Sequence, residues 1–374
     1  MTTLTTETAY DELAAAIAAG ATVAGLGEST RFAHETFEVR DRLFRRLVRT
    51  HGFRALAVQD SASAGAALDA YVTGGTGTGR SALAGAWRPW RTAEMAAALE
   101  WIRAFNRDHP DDPVRIFGVK PAQAQPADYD VVVEHVRRAA PHRLAEVAGH
   151  LDPIRSAHEI DEHVQRARGL HPGRPFADHA RDALAIVRQL PGGGAGLERM
   201  RLIVDFHQRS VAGRDNYAGD ARTWADTIVD HQHRTGHRVA YWDGIAHTSA
   251  APATLGLAPQ RGFQPTVGSV LRAHYGTRYV SAAIGFHHGD LGPFQVPEPA
   301  PDWLDARLGA TDRAAHWLDL RDGGWDGPMK ARVISGVYDP SRDASEHLAV
   351  ARLPAAFDVL VHLREVSPVH GLPA

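Results

Sequence analysis

The chain has 374 residues, 44% of them apolar and 23% charged, with 41 basic and 44 acidic residues and no cysteine. This composition excludes a largely disordered chain, and the lack of cysteine excludes a disulfide, a thiol nucleophile and a cysteine-ligated metal. A net charge of −3 gives no global attraction to nucleic acid or to an anionic membrane, so neither is expected as a partner.

The apolar runs are too short, or too rich in Gly and Ala, to span a bilayer. Met1–Tyr10 lacks a basic segment followed by an apolar stretch, so no secretory leader is read there and a cytoplasmic location is expected. Residues 1–20 read as an amphipathic helix with Leu4, Tyr10, Leu13 and Ile17 near helical spacing. Thr22–Gly27 reads as a buried strand and Glu28-Ser29-Thr30 as a turn. A helix is expected from about Phe32 to His51, with Phe37, Leu43, Phe44 and Leu47 on its apolar side and Gly52 as its C-cap. Ala55–Val58 is a second buried strand, and strand–helix–strand order suggests a parallel pair with a right-handed crossover. The loop Gly74–Arg80 is glycine-rich but lacks the Gly-Lys-Ser/Thr ending of a phosphate-binding loop. Thr92–Asn106 is a helix and Val114–Gly118 a third strand. About residues 128–190 are mainly helical and form a candidate cap or hairpin. Pro191–Gly196 is a candidate linker, Leu197–Thr235 a further helix, and Arg238–Trp242, Tyr279–Phe286 and Asp358–Leu363 are later strands.

Strands alternating with helices imply an α/β fold, a parallel-type sheet flanked by helices, with functional residues at the carboxyl ends of its strands. Glu28, Gln59, Asp60, Lys120, Asp243 and His247 all fall at such ends. Of 22 histidines, His34, His287 and His288 are further candidates. No metal set is assigned: His231-x-His233 places its rings on different helical faces, there is no His-Glu-x-x-His, and nothing requires Glu28, His34, Asp60 and His247 to converge. No Gly-x-Ser-x-Gly marks a serine nucleophile, and no cofactor is expected.

Gly25-Leu26-Gly27-Glu28-Ser29-Thr30, followed by Glu35, Phe37, Arg40 and Leu43-Phe44, resembles the erythromycin esterase family. Further segments agree in order: His51–Val58, Trp90 with Trp101-Ile102-Arg103 and Asn106, Arg214-Asp215, Trp242 with Ala246-His247, Val267-Gly268 with Leu271-Arg272, Gly285-Phe286 and Phe357-Asp358. The resemblance covers nearly the whole chain and implies one domain over 1–374, with a helical portion framing a deep cleft. It implies metal-independent hydrolysis of a macrolide lactone, in which a histidine supported by carboxylates activates water.

The chain departs from that pattern at the machinery itself. The family's Gly-Glu-x-Thr-His has its histidine where this chain has Arg31, which keeps its proton and cannot be a general base. A family glutamate corresponds to Gln59, a histidine to Gly244 and an acidic strand end to Lys120. Glu28, Arg40, Arg214, Asp215 and His247 are retained.

The expected roles follow from this pattern. Glu28 is the candidate base and His247 the candidate acid or hydrogen-bond donor. His34, three residues from Arg31 on one helical face, is a replacement base. Arg31, Arg40, Gln59, Asp60, Arg214, Asp215, Asp243, His287 and His288 are candidate substrate-binding residues. The first functional expectation is a natural-product tailoring enzyme that cyclises, eliminates or isomerises a small or macrocyclic substrate. The alternatives are an ester or lactone hydrolase and a non-catalytic macrolide-binding protein.

Overall fold

The computed structural model describes residues 1–155, 166, 172–192, 194–212, 217–256, 259–334 and 338–373. They form two compact units, residues 1–120 with 218–374, and residues 121–217.

The first unit is built on a nine-stranded sheet. Its strands are β1 (Thr2–Thr3), β2 (Val23–Glu28), β3 (Phe53–Ser61), β4 (Arg115–Lys120), β5 (Arg238–Gly244), β7 (Tyr279–Asp290), β8 (Gln295–Val296), β9 (Ala315–Asp319) and β12 (Val359–Val366). The order is β1-β9-β12-β7-β2-β5-β3-β4, with β8 beside β7. From β12 to β4 every pairing is parallel, whereas β9 runs antiparallel to β12 and β1 to β9. The sheet is therefore mixed, and the parallel-type expectation holds for its six central strands. All six residues of β2 are buried, as a strand covered on both faces requires. A second sheet, β10 (Met329–Arg332), β11 (His347–Val350) and β6 (Ala253–Leu255), is antiparallel throughout.

The helices α1 (Glu7–Ala18), α2 (His34–His51), α3 (Ala62–Val72), α4 (Gly79–Ala82) and α5 (Ala93–Asp108) belong to the same unit. Leu13, Ile17, Leu43, Phe44, Leu47, Leu99 and Ile102 from these helices share one core with Leu26, Leu56, Val58 and Trp242 of the sheet.

Three details correct the sequence reading. The first two buried strands are not neighbours, because β5, from far along the chain, pairs with both β2 and β3. The Tyr279 strand runs on to Asp290, so His287 and His288 lie inside it. Arg31 precedes α2, which starts at His34, so the two residues do not share a helical face.

In the second unit, helices Pro126–Ala139, Leu144–Leu151, Phe176–Val187 and Gly194–Ala212 enclose a core of Tyr129, Val132, Val136, Val147, Leu151, Phe176, Met200 and Ile203. The stretch about 128–190 lies within this unit. Pro191–Gly196, expected as a linker, lies within this unit; its last three residues begin the Gly194–Ala212 helix, and Gly193 lies outside the described residues.

Candidate active site

Register brings the ends of the central strands level. Glu28 pairs with Gly244 across β2 and β5, and Val58 with Trp242 across β3 and β5. Side chains that follow those positions share one end of the sheet.

Two glycines explain how His247 reaches that end. A Cβ at Gly27 would strike Thr248 Oγ1 and lie 3.0 Å from Ile245 Cα, and one at Gly25 would strike Tyr279 Oη. With hydrogen at both positions, the single turn Ile245–Thr248 lies directly on β2. The turn is tied down by Tyr279 Oη–H and Ser281 Oγ–H, which donate to Thr248 O at 2.6 and 2.7 Å.

Glu28 is 1% exposed and pairs with the equally buried Arg40. Arg40 runs inward from α2 between aromatic rings, its guanidinium 4.6 Å from Trp242 and 5.1 Å from Phe37 and Trp90. Burial pushes the Glu28 carboxyl up, against the pull of Arg40 and Arg31. It also pushes Arg40 down, against the pull of Glu28.

Arg31 is the centre of the cluster. Its Nε lies 3.4 Å from Glu28 Oε1, one terminal nitrogen lies 2.6 Å from Asp243 Oδ1, and it donates a hydrogen bond to Gln59 Oε1. Asp243 also accepts from Gly244 N (2.7 Å) and from Tyr241 Oη. A Cβ at position 244 would come within 3.7 Å of the Arg31 guanidinium. A long side chain there would compete with Arg31 for space, so glycine at 244 and arginine at 31 fit each other.

Asp60 accepts hydrogen bonds from Ser61 N (2.7 Å) and Trp87 N (2.8 Å), and burial raises its pKa. Trp87 packs against two cations, 4.8 Å from the Arg31 guanidinium and 4.5 Å from Lys120 Nζ. Lys120 is half-buried and also faces Trp224 at 5.2 Å. Burial lowers its pKa, while Asp243 and Asp60 oppose the shift. His247 is half-buried beside Trp224, ring centroids 5.1 Å apart. Burial lowers its pKa, with Asp243 pulling the other way and Arg31 and Lys120 adding to the fall. Arg31, Arg40 and Lys120 thus face Glu28, Asp60 and Asp243, and the cluster is close to charge balance.

Other expected residues lie elsewhere. His34 bonds Glu94, with Nδ1 2.8 Å from Oε1, and packs edge-on against His370. His287 and His288 are further along β7 and are hydrogen-bonded to each other at 2.9 Å. Arg214 and Asp215 lie outside the described residues. Trp87, Trp224 and Tyr241 belong to the cluster without having been singled out from the sequence. Only their aromatic character beside glycine-rich or charged segments marked them.

The family model for erythromycin esterase matches residues 48–366. A Bacillus cereus protein of known structure is 19% identical, over 96% of this chain and 91% of its own, with a TM-score of 0.66. A succinoglycan biosynthesis protein is 20% identical, over 99% and 96%, with a TM-score of 0.69. A mutant of the erythromycin esterase EreC in its open conformation is 13% identical, over 95% and 93%, with a TM-score of 0.62. No curated protein sequence matches the chain. At these identities the structural likeness establishes a shared fold, an α/β unit with a mixed sheet flanked by helices. With the family model covering most of its length, the chain belongs to the erythromycin esterase family.

Proposed function

We propose that this member of the family is a small-molecule enzyme that works by acid/base chemistry without a histidine-activated water at position 31. Its reaction would be a cyclisation, elimination or isomerisation of a small or macrocyclic substrate. The observation that carries the reading is the binding of Arg31 by Glu28, Asp243 and Gln59. An arginine keeps its proton, and this one is held by two carboxylates, so it serves as a fixed positive charge.

In this reading His247 transfers the proton. Burial favours its neutral form, which can accept a proton from carbon or oxygen of the substrate and return it to another atom. Arg31 and Lys120, both packed against Trp87, hold a carbonyl or carboxylate and stabilise charge developing on its oxygen. Glu28 is the buried counter-ion that holds Arg31 and Arg40 in place, and it is the second candidate base.

A second reading is ester or lactone hydrolysis with His247 as the base that activates water. It is favoured by the family and by the same neutral imidazole.

Product mass separates the two. The protein and His247→Gln are incubated with a panel of macrolactones and their open-chain hydroxy acids. A product isomeric with its substrate, or lighter by one water, that disappears in His247→Gln supports the first reading. A product heavier by one water supports the second. Binding of a ligand without any product would point to a sequestering protein.

A further inference from the structure

Three segments far apart in sequence meet in the first unit. His34 is the first residue of α2, Glu94 lies in the first turn of α5, and His370 lies in the C-terminal tail. Backbone hydrogen bonds fix all three: His34 N donates to Ser367 O (2.8 Å), Val369 N to Phe32 O (3.0 Å) and Ala93 N to His370 O (2.8 Å). Glu35 adds two more contacts to the tail, accepting from Ser367 N (2.7 Å) and Ser367 Oγ (2.6 Å). The Nδ1 atoms of His34 and His370 both lie 2.8 Å from the same oxygen, Glu94 Oε1. One donor atom from each of the three residues lies within 4.8 Å of the others. Glu94 is 8% exposed, His34 36% and His370 73%, so the carboxylate forms a buried floor beneath an open mouth of two imidazoles.

We propose that His34, Glu94 and His370 form a divalent transition-metal site that fastens the C-terminal tail to the starts of α2 and α5. Two imidazole nitrogens and one carboxylate oxygen are a borderline donor set that suits Zn²⁺ and its neighbours better than Mg²⁺ or Ca²⁺. Without metal, the two ring N–H groups converge on one oxygen. A cation takes the place of those two protons: each neutral ring carries its proton on Nε2 instead, which frees both Nδ1 lone pairs to turn from Glu94 Oε1 toward a metal shared with that oxygen. Bonds of about 2.0–2.1 Å at tetrahedral angles set donors roughly 3.3 Å apart, so each Nδ1, now 2.8 Å from Glu94 Oε1, opens from it by about half an ångström as the ring turns toward the metal. Water fills the position toward solvent. Glu35 and Glu38 add negative potential at His34, which favours a cation there. Because backbone bonds already hold the tail, the donors are pre-positioned and the site costs little ordering. None of its three donors belongs to the groups proposed to act with Arg31 and His247.

A second set, His287, His288 and Glu298, also has donor atoms within that span, but there the close hydrogen bond runs from ring to ring. It serves as the control. Zn²⁺ is titrated calorimetrically into the untagged full chain, with thermal unfolding followed in parallel, and both are repeated on His370→Ala, Glu94→Gln and His288→Ala. The expected result is one tightly bound Zn²⁺ per chain and a Tm raised by a few degrees. Binding should weaken by about 100-fold or more in His370→Ala and Glu94→Gln, since loss of even an outer-shell partner costs about 10–100-fold. It should be unchanged in His288→Ala. His370 is exposed, so its replacement tests ligation without disturbing a core. Absence of Zn²⁺ binding, equal affinity in wild type and His370→Ala, or loss of binding in His288→Ala would overturn the proposal.

Discussion

Arg31 decides the chemistry open to the site, because it places a permanent cation between two buried carboxylates. Removing it leaves Asp243 and Glu28, 0% and 1% exposed, with Arg40 still paired to Glu28 and Asp243 without an ion-pair partner at contact distance among the described residues, facing only the more remote charges of Lys120 and Arg40. Breaking a buried pair costs about 3–5 kcal/mol. Arg31→Ala should lower unfolding stability by that order in urea titration at neutral pH, and an unchanged midpoint would contradict the arrangement. The sequence placed Glu28, Gln59, Asp243 and His247 at strand ends, and the register makes those ends level. It misplaced Arg31 on a helix because α2 begins after Ala33 without a side-chain cap, so no Ser, Thr, Asp or Asn marks the start. Another residue shows what burial does to titration. His316 is 0% exposed, and burial lowers its pKa to about 4. Its unfolded form therefore binds a proton that the folded form refuses between about pH 6.5 and 4. Its contribution to stability is complete above pH 6.5 and is lost as pH falls toward 4, by on the order of 3 kcal/mol. His316→Leu should flatten the stability profile in that window and leave it unaltered above pH 7. Equal acid sensitivity in the variant would show that the ring is not buried neutral.

The elements that carry the site depend on close approach. The turn Ile245–Thr248 can lie on β2 only because Gly25 and Gly27 have no Cβ. Gly27→Ala forces Thr248 and the Ile245 backbone to shift, an overpacking that costs about 1–3 kcal/mol, and it displaces His247 from the cluster. The expected outcome is a lower Tm, together with a loss of turnover similar to that of His247→Gln. Full turnover in Gly27→Ala would mean that the turn tolerates displacement. The buried parallel strands were legible as short apolar runs ending in glycine or polar residues, the pattern of strands covered on both faces. Their order was not, because β5 inserts between β2 and β3 from a distance that no local pattern encodes. The short strands of the second sheet were not legible either. Met329-Lys330-Ala331-Arg332 and its partners run too briefly for alternation to stand out.

The chain keeps the family's fold. Arg31, Arg40 and Lys120 face Glu28, Asp60 and Asp243 in a nearly balanced cluster with His247 beside it. Among the described residues no helix is long and apolar enough to cross a membrane. The family was legible because small motifs recur in order along most of the chain. The reaction was not, because strand-end residues such as Glu28, Asp243 and His247 suit several acid/base reactions alike. The most direct test is incorporation of oxygen from ¹⁸O-labelled water into the product of a lactone that the wild-type protein binds by calorimetry, followed by mass spectrometry. The proposed non-hydrolytic reaction predicts that any product formed carries no ¹⁸O and is not heavier by one water. Incorporation of one labelled oxygen that is lost in His247→Gln would contradict it and establish hydrolysis with His247 as the base.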